Sequence, residues 1–535
     1  MENRKDMRRE LLKVTGAAVL GLGCAGTLHA VGQQRGSVHE VPDDFNVRDF
    51  GATGDGKTLD TPSINKAIAA AAAIGGGTVN LPAGTYLCYS IHLKSHVRLQ
   101  LASGAVVVAA DPPKESGEEG YDLPESNKPS EGYQDFGHSH WHNSLMWGEG
   151  LENISICGPG LIWGKGISRG EFQGPVAEVP GVANKAIALK NCHDVILRDF
   201  SILHGGHFGI LTTGVDNLTI DNLKIDTNRA GIDMDCCRNV RVSNCSVNAP
   251  WDDAICLKSS FALGLARAAE MITISDCMVS GSFEEGSLLD GTFKRFPANA
   301  DIDRNGRIKL GTESNGGFKN ITITNCVFDG CFGLAILSVD GAVIEDVSIS
   351  NITMRDTVAS PIFIRLGSRM RGPAGMPVGA IRRVNISTIV SSSASSLICS
   401  MIAGVPNHKI ENIKLTNILL QHSGGGTKID AAHHLEEKER EYPEPNMFGN
   451  TPAHGLLVRH AEDIQINNCR VISAAKDARP CFLLHDVERV DFSNIKVDRA
   501  ANTPVLILEN AKDIRVQNCN SLPDVEIAEA EHQEL

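Results

Sequence analysis

Aromatic side chains are scarce in this 535-residue sequence: they make up 5% of it, and only four are tryptophan. A bulky core built on Phe, Tyr and Trp is therefore excluded, and 53 glycines favour many turns instead. Positive charge is in deficit, with 50 Lys and Arg against 64 Asp and Glu and a formal net charge of -14. That balance argues against nucleic acid, whose phosphates would be repelled. It also makes a polyanion an awkward partner unless basic residues gather locally. Metal-ligand spacing is missing as well. No cysteine pair has zinc-site spacing, Cys236-Cys237 has no partner histidines, and His138-Ser139-His140-Trp141-His142 has no acidic partner at useful spacing. No metal and no cofactor are expected.

The apolar stretch from Val14 to Ala30 falls short of a membrane span. It follows Met7-Arg8-Arg9-Glu10-Leu11-Leu12-Lys13, and the arginine pair with the apolar run reads as a twin-arginine export signal rather than a basic, frayed end. Residues 1–36 are accordingly expected to be an export signal and linker recognised by the twin-arginine machinery, with the protein periplasmic or extracellular. Leu22-Gly23-Cys24 hints at a lipid on Cys24, but Gly21 stands where a large aliphatic residue belongs.

Fifteen cysteines in an exported chain could mean disulfides, yet most follow Asn or Asp at a recurring step: Asn191-Cys192, Asn244-Cys245, Asp276-Cys277, Asn325-Cys326, Asn468-Cys469 and Asn518-Cys519. One per repeat reads as a small buried side chain stacked on its copies. The repeat is visible in 152–156, 216–220, 238–242, 319–323, 345–349, 411–415, 462–466 and 512–516, each a short alternating strand such as Asp216-Asn217-Leu218-Thr219-Ile220. The closest copies lie about 22 to 26 residues apart, as from 216 to 238 and from 319 to 345. One such unit cannot bury its apolar face alone. Stacking does, which predicts an all-β parallel β-helix filled by a column of Ile, Val, Leu and Cys. Asn at the turns can form ladders and tolerates left-handed backbone angles.

Residues 37–111 read as a strand and helix cap leading into this solenoid, and 112–535 as the β-helix with loop insertions. The alanine-rich stretch from Thr61 to Ala73, with Thr61 or Ser63 as its cap, predicts a helix covering the unpaired backbone at the first coil. Residues 112–137 predict a surface loop.

The chemistry concentrates between 226 and 260. Asp233 and Asp235 alternate with Met234, and about one repeat later come the adjacent acids Asp252 and Asp253 with Lys258 behind them. If the two segments stack, the acids share a surface, and like charges there keep one carboxyl protonated near neutral pH. That is the equipment for acid–base cleavage of a glycosidic bond. The ordinary reading of each is an acidic turn. Lys258 would hold the acids' charge or touch a sugar hydroxyl. His207, beside Gly206, could border a cleft, and Trp141 could stack on a sugar ring. Arg365 and Arg369 form a basic island that could grip an acidic sugar. The insertion around Tyr442–Gly449 could wall off the groove, favouring removal of a terminal residue.

Taken together, Asn46-Val47-Arg48-Asp49-Phe50-Gly51-Ala52, Leu81-Pro82-Ala83-Gly84-Thr85-Tyr86, Asp252-Asp253-Ala254-Ile255 and Gly311-Thr312-Glu313-Ser314-Asn315-Gly316-Gly317 resemble the polygalacturonase family, glycoside hydrolase family 28, in its bacterial exo-acting, rhamnogalacturonidase-like branch. The resemblance implies a right-handed β-helix and hydrolysis with inversion, Asp252 as general acid, Asp253 activating water, and substrate contact at Glu313. The family's Asn-Thr-Asp-Gly is replaced by Asn228-Arg229-Ala230-Gly231, so one acid is missing and Asp233 or Asp235 is expected to take its place. Asn305 falls near the family's histidine. Arg307-Ile308-Lys309 spells the family's carboxylate clamp one coil too early, while the matching place, Gly333-Leu334-Ala335-Ile336-Leu337, is apolar. The expectation is a monomeric, exported glycosidase for pectic oligosaccharides, with sugar other than plain galacturonate at the cut. The rivals are a polysaccharide lyase or uronate epimerase on the same scaffold, and a carbohydrate-binding protein silenced by Ala230.

Overall fold

The structure is a computed structural model that describes residues 44–114, 119–169, 178–395, 397–498 and 503–535. The export signal, Cys24 and the 1–36 segment lie outside the described residues. Among those described, no helix is long and apolar enough to cross a membrane.

Short parallel strands stack coil upon coil into a solenoid. All eight segments of the sequence repeat fall in strands, among them Asp216–Asp221, Arg238–Ser243 and Val343–Arg355. Register makes each coil bury the next. Met234, Leu257, Leu310, Ile336, Ile364, Ile402 and Val458 are successive partners on one sheet, and all lie in the interior. Leu218, Val240, Ile272, Ile321, Val347 and Val384 do the same on a second sheet. A side chain in such a column is out of water on every side, worth about 1.5–3 kcal/mol for each Ile or Leu.

The Asn and Asp residues at the corners are left-handed, for instance Asn244 at φ 57, Asp276 at φ 56 and Asn325 at φ 56. They form ladders: the Asn244 amide donates to Asp221 at 2.8 Å and the Asn351 amide to Asn325 at 3.2 Å. The cysteine after each corner turns inward, and its Sγ donates to the carbonyl two residues back, at 3.1 Å in both Cys245 and Cys277. The described cysteines are free thiols.

The predicted helix runs over Thr61–Ala73 and buries Ile64, Ala67, Ile68 and Ala71 against the first coil. Its cap differs from expectation. Asp60 precedes it and spends its carboxylate on the Thr53 and Gly54 amides at 2.7 and 3.0 Å, while the Thr61 hydroxyl accepts from the Tyr89 amide at 2.8 Å. At the far end the acidic Val525–Glu534 strand pairs antiparallel with Leu506–Gln517, so the last parallel edge is covered by a charged strand that resists further pairing.

Candidate functional site

One sheet of the solenoid carries the site. Its strands include Ala230–Asp235, Ile255–Ser259, Ile308–Ser314, Leu334–Ser338 and Ile362–Leu366. The turns just ahead of these strands meet along one rim, because each coil begins in register with the last. They frame a cavity of about 560 Å³ to which Arg229, Trp251, Asp252, Asp303, Asn305, Phe332, Val358 and Ala359 contribute. Tyr442, Glu444 and Asn446 reach over it from the insertion. One side is therefore charged and the other apolar.

Asp252 is the one expected catalytic acid that opens on this cavity. Its Oδ1 accepts the Asp253 amide at 2.9 Å and its Oδ2 lies 3.2 Å from the Arg229 guanidinium. Burial pushes the Asp252 carboxyl up, but Arg229, then Lys309, His207 and Lys258, more than offset this and hold it below its ordinary value. The sequence expectation of a protonated Asp252 is corrected, since the Arg229 guanidinium beside it favours the anion.

The other three acids are closed off. Asp253 is buried between Arg307 Nε at 2.9 Å and Lys309 Nζ at 2.6 Å, and Arg307 continues to Glu444 at 2.5 Å. The tripeptide set aside as a misplaced clamp thus does enter the site, as the partner of Asp253. Asp233 and Asp235 point away from the core, as alternation predicts, but neither reaches solvent. The 121–142 segment lies over them: Trp141 Nε1 donates to Thr213 Oγ1 at 2.9 Å and His138 Nε2 sits 3.1 Å from Asp233. Asp235 accepts from the Ser260 amide at 2.7 Å and its hydroxyl at 2.5 Å, and burial raises its pKa despite those bonds. Neither can activate water in the cavity as placed here.

Beneath the cavity runs a buried charge network. Lys258 Nζ lies 2.5 Å from Glu313 and 3.7 Å from Asp233, so it holds the acids' charge rather than facing a sugar. Glu313 also meets Arg369 at 3.6 Å and Arg371 at 3.5 Å. Burial raises the Glu313 pKa, but Lys258 and Arg369 drive it well below the ordinary range. His207 is buried, stacking on Phe208 with ring centres 4.3 Å apart, and burial, then Arg229, push its pKa down to about 3; it does not line the cavity, which corrects its expected contact with a sugar. Arg365 is buried, donating to the Gly404 carbonyl at 2.8 Å and the Glu437 carbonyl at 2.5 Å. It ties the insertion down and has no donor group left at the rim, which corrects its expected contact with substrate. Glu313 and Lys258 are corrected likewise: the charge network encloses both.

Sequence reasoning missed Asp303, Glu444 and the role of Arg229. Asp303 had a readable signal, for it precedes Ile308–Ser314 as Asp252 precedes Ile255–Ser259. Glu444 had none, since its contact with Arg307 spans 137 residues. Ala230 packs with Trp141, Phe208 and Leu211 in an apolar patch outside the core. Among the described residues, no group of three or more His, Cys, Asp or Glu side chains is placed to hold a metal ion.

Two family models match the chain: "Rhamnogalacturonase A/epimerase, pectate lyase-like" over residues 45–119 and "Right handed beta helix region" over 166–266. A probable polygalacturonase of Vitis vinifera is 23% identical over 408 residues, 71% of this chain and 75% of that protein. Mannuronan C5-epimerase AlgE3 of Azotobacter vinelandii is 51% identical over 67 residues, 12% of this chain and 4% of that protein. The crystal structure of a hyperthermoactive exopolygalacturonase from Thermotoga maritima superimposes with a TM-score of 0.56 at 17% identity, over 92% of this chain and 96% of that one. The fold is a right-handed parallel β-helix.

Proposed function

We propose that the protein is a glycoside hydrolase that removes terminal residues from pectic oligosaccharides, of the rhamnogalacturonan type. The observation that carries this reading is the 560 Å³ cavity, in which Asp252 and Asp303 face a common space and the Tyr442–Asn446 segment reaches over one side. Two carboxyl groups on a space that admits water are what acid–base cleavage of a glycosidic bond requires. A wall standing over a groove suits a chain end better than a passing chain. The names of the relatives in grape and Thermotoga maritima support the pectic substrate.

The cations at the cavity are engaged. Arg229 is on Asp252, and Arg304 donates to Ser282 Oγ at 3.2 Å and the Pro297 carbonyl at 3.0 Å. With Ile302, Phe332, Val358 and Ala359 also lining it, the site favours a sugar with an apolar edge over a galacturonate carboxylate. The expected export to periplasm or medium is part of the same reading.

Incubation with a panel of pectic oligosaccharides, read by mass spectrometry and by NMR of the released anomer, tests it. Single terminal residues released with inversion are expected. Random mid-chain scission rejects the terminal mode, and an unsaturated, ultraviolet-absorbing product replaces hydrolysis with lyase chemistry.

A further inference from the structure

We propose that Asp303 is the proton donor of this site, while Asp252 stays ionised and takes the proton of the attacking water. The assignment rests on the glycosidase reading and allots its roles.

Position comes first. The Asp303–Gly306 turn is held directly on the turn that carries Asp252: the Asn305 amide donates to the Pro250 carbonyl at 3.0 Å and the Gly306 amide to the Asp252 carbonyl at 2.9 Å. Both acids line the cavity. Elimination narrows the choice. Asp253 is clamped by Arg307 and Lys309, Asp235 is held by Ser260, and Asp233 is covered by His138 of the 121–142 segment. Asp303 is exposed and has neither a hydrogen bond nor an ion pair with another side chain, so its oxygens are free to approach a sugar.

Charge then separates the two. Arg229 pairs with Asp252 and stabilises its anion. Asp303 faces Asp252 across the turn, Asp301 on its own loop and Glu444 from the insertion, with Arg229 as the one opposing cation among the groups acting on it most strongly. The partial desolvation of its carboxyl first, then those three acids, raise its pKa, and Arg229 offsets only part of the rise. Pairs of carboxyls whose surroundings drive them apart divide into acid and base. The ordinary alternative is a solvated loop aspartate; what sets Asp303 apart is that it lines the same cavity as the arginine-paired Asp252.

The step balances without a co-reactant other than water. The Asp303 O–H gives its proton to the glycosidic oxygen as the C1–O bond breaks, and the leaving sugar departs as an alcohol. The water oxygen bonds C1 from the opposite side, and its proton passes to the Asp252 carboxylate. Solvent returns that proton to Asp303.

The test compares wild type, Asp303→Asn and Asp252→Asn on rhamnogalacturonan oligosaccharides and on two activated probes, 2,4-dinitrophenyl α-L-rhamnopyranoside and 2,4-dinitrophenyl α-D-galactopyranosiduronate. Circular dichroism checks that each variant is folded. Removing the acid should cost about 10²- to 10⁴-fold on the oligosaccharides and less than about tenfold on a probe whose leaving group needs no proton. The basic limb of the kcat profile should vanish with it. Asp252→Asn should lose both substrates. An active wild type with an unimpaired Asp303→Asn, or one equally impaired on oligosaccharide and probe, overturns this assignment alone. A wild type inert on every substrate sinks the glycosidase reading and the assignment with it.

Discussion

Raising the pH should destabilise this protein through His138. Its Nδ1 lies 3.1 Å from Asp135 and its Nε2 3.1 Å from Asp233, whose buried Oδ1 has no hydrogen-bond partner. Burial and the Lys258 charge push the His138 pKa down, but Asp135 and Asp233 overcome both and raise it from 6.5 to about 10. A histidine raised in the fold contributes its full stability below its unfolded pKa and loses it as the pH climbs through the folded one. The gap from 6.5 to about 10, at about 1.4 kcal/mol per pH unit, is on the order of 4–5 kcal/mol, and it belongs to the coupled cluster of His138, Asp135, Asp233 and Lys258. Between about pH 7.5 and 9.5 the folded state keeps a proton that the unfolded chain has lost, so stability should fall by roughly 1.4 kcal/mol per pH unit. Urea unfolding followed by circular dichroism at half-unit steps measures that slope. His138→Gln keeps an amide donor toward Asp233 but no charge. It should be less stable than wild type at about pH 6.5 and flat where wild type falls. Parallel slopes in the two proteins would refute the argument, because the titrating proton would then reside elsewhere.

Two further outcomes are expected. Arg365→Met should free the insertion from the solenoid, at a cost of about 1.5–3 kcal/mol for its charged donors to the Gly404 and Glu437 carbonyls; limited proteolysis should then cut within 427–449 faster while the β-sheet signal persists, and unchanged cleavage counts against the strap. Ala230→Asp should not create activity, because a carboxylate there would be buried among Trp141, Phe208 and Leu211; a lower melting temperature is expected, and a gain in turnover would contradict the packing.

The solenoid was legible because its information is local and repeated. A strand such as Asp216-Asn217-Leu218-Thr219-Ile220 states its own alternation, and Asn244-Cys245 states both a left-handed corner and an inward thiol. Even the helix over Thr61–Ala73 is announced by composition. What escaped was the use of shared groups: Asp60 could not be known to prefer the Thr53 and Gly54 amides over the helix end. The antiparallel Val525–Glu534 strand repeats nothing before it, so periodicity could not find it.

The site was legible only as a list of acids, and the reason is geometric. A parallel coil sends two classes of side chain to its outer surface: those on the strands and those on the turns ahead of them. Alternation identifies the first class, and Asp233, Asp235, Lys258 and Glu313 all lie outside the apolar column. Whether an outward position is open depends on contacts that no period encodes, such as His138 to Asp233 across 95 residues and Glu444 to Arg307 across 137. Those insertions cover the strand positions and leave the turns free. The strand acids therefore neutralise one another in a dry network, while Arg229, Asp252 and Asp303, each from the turn of a successive coil, meet at the cavity.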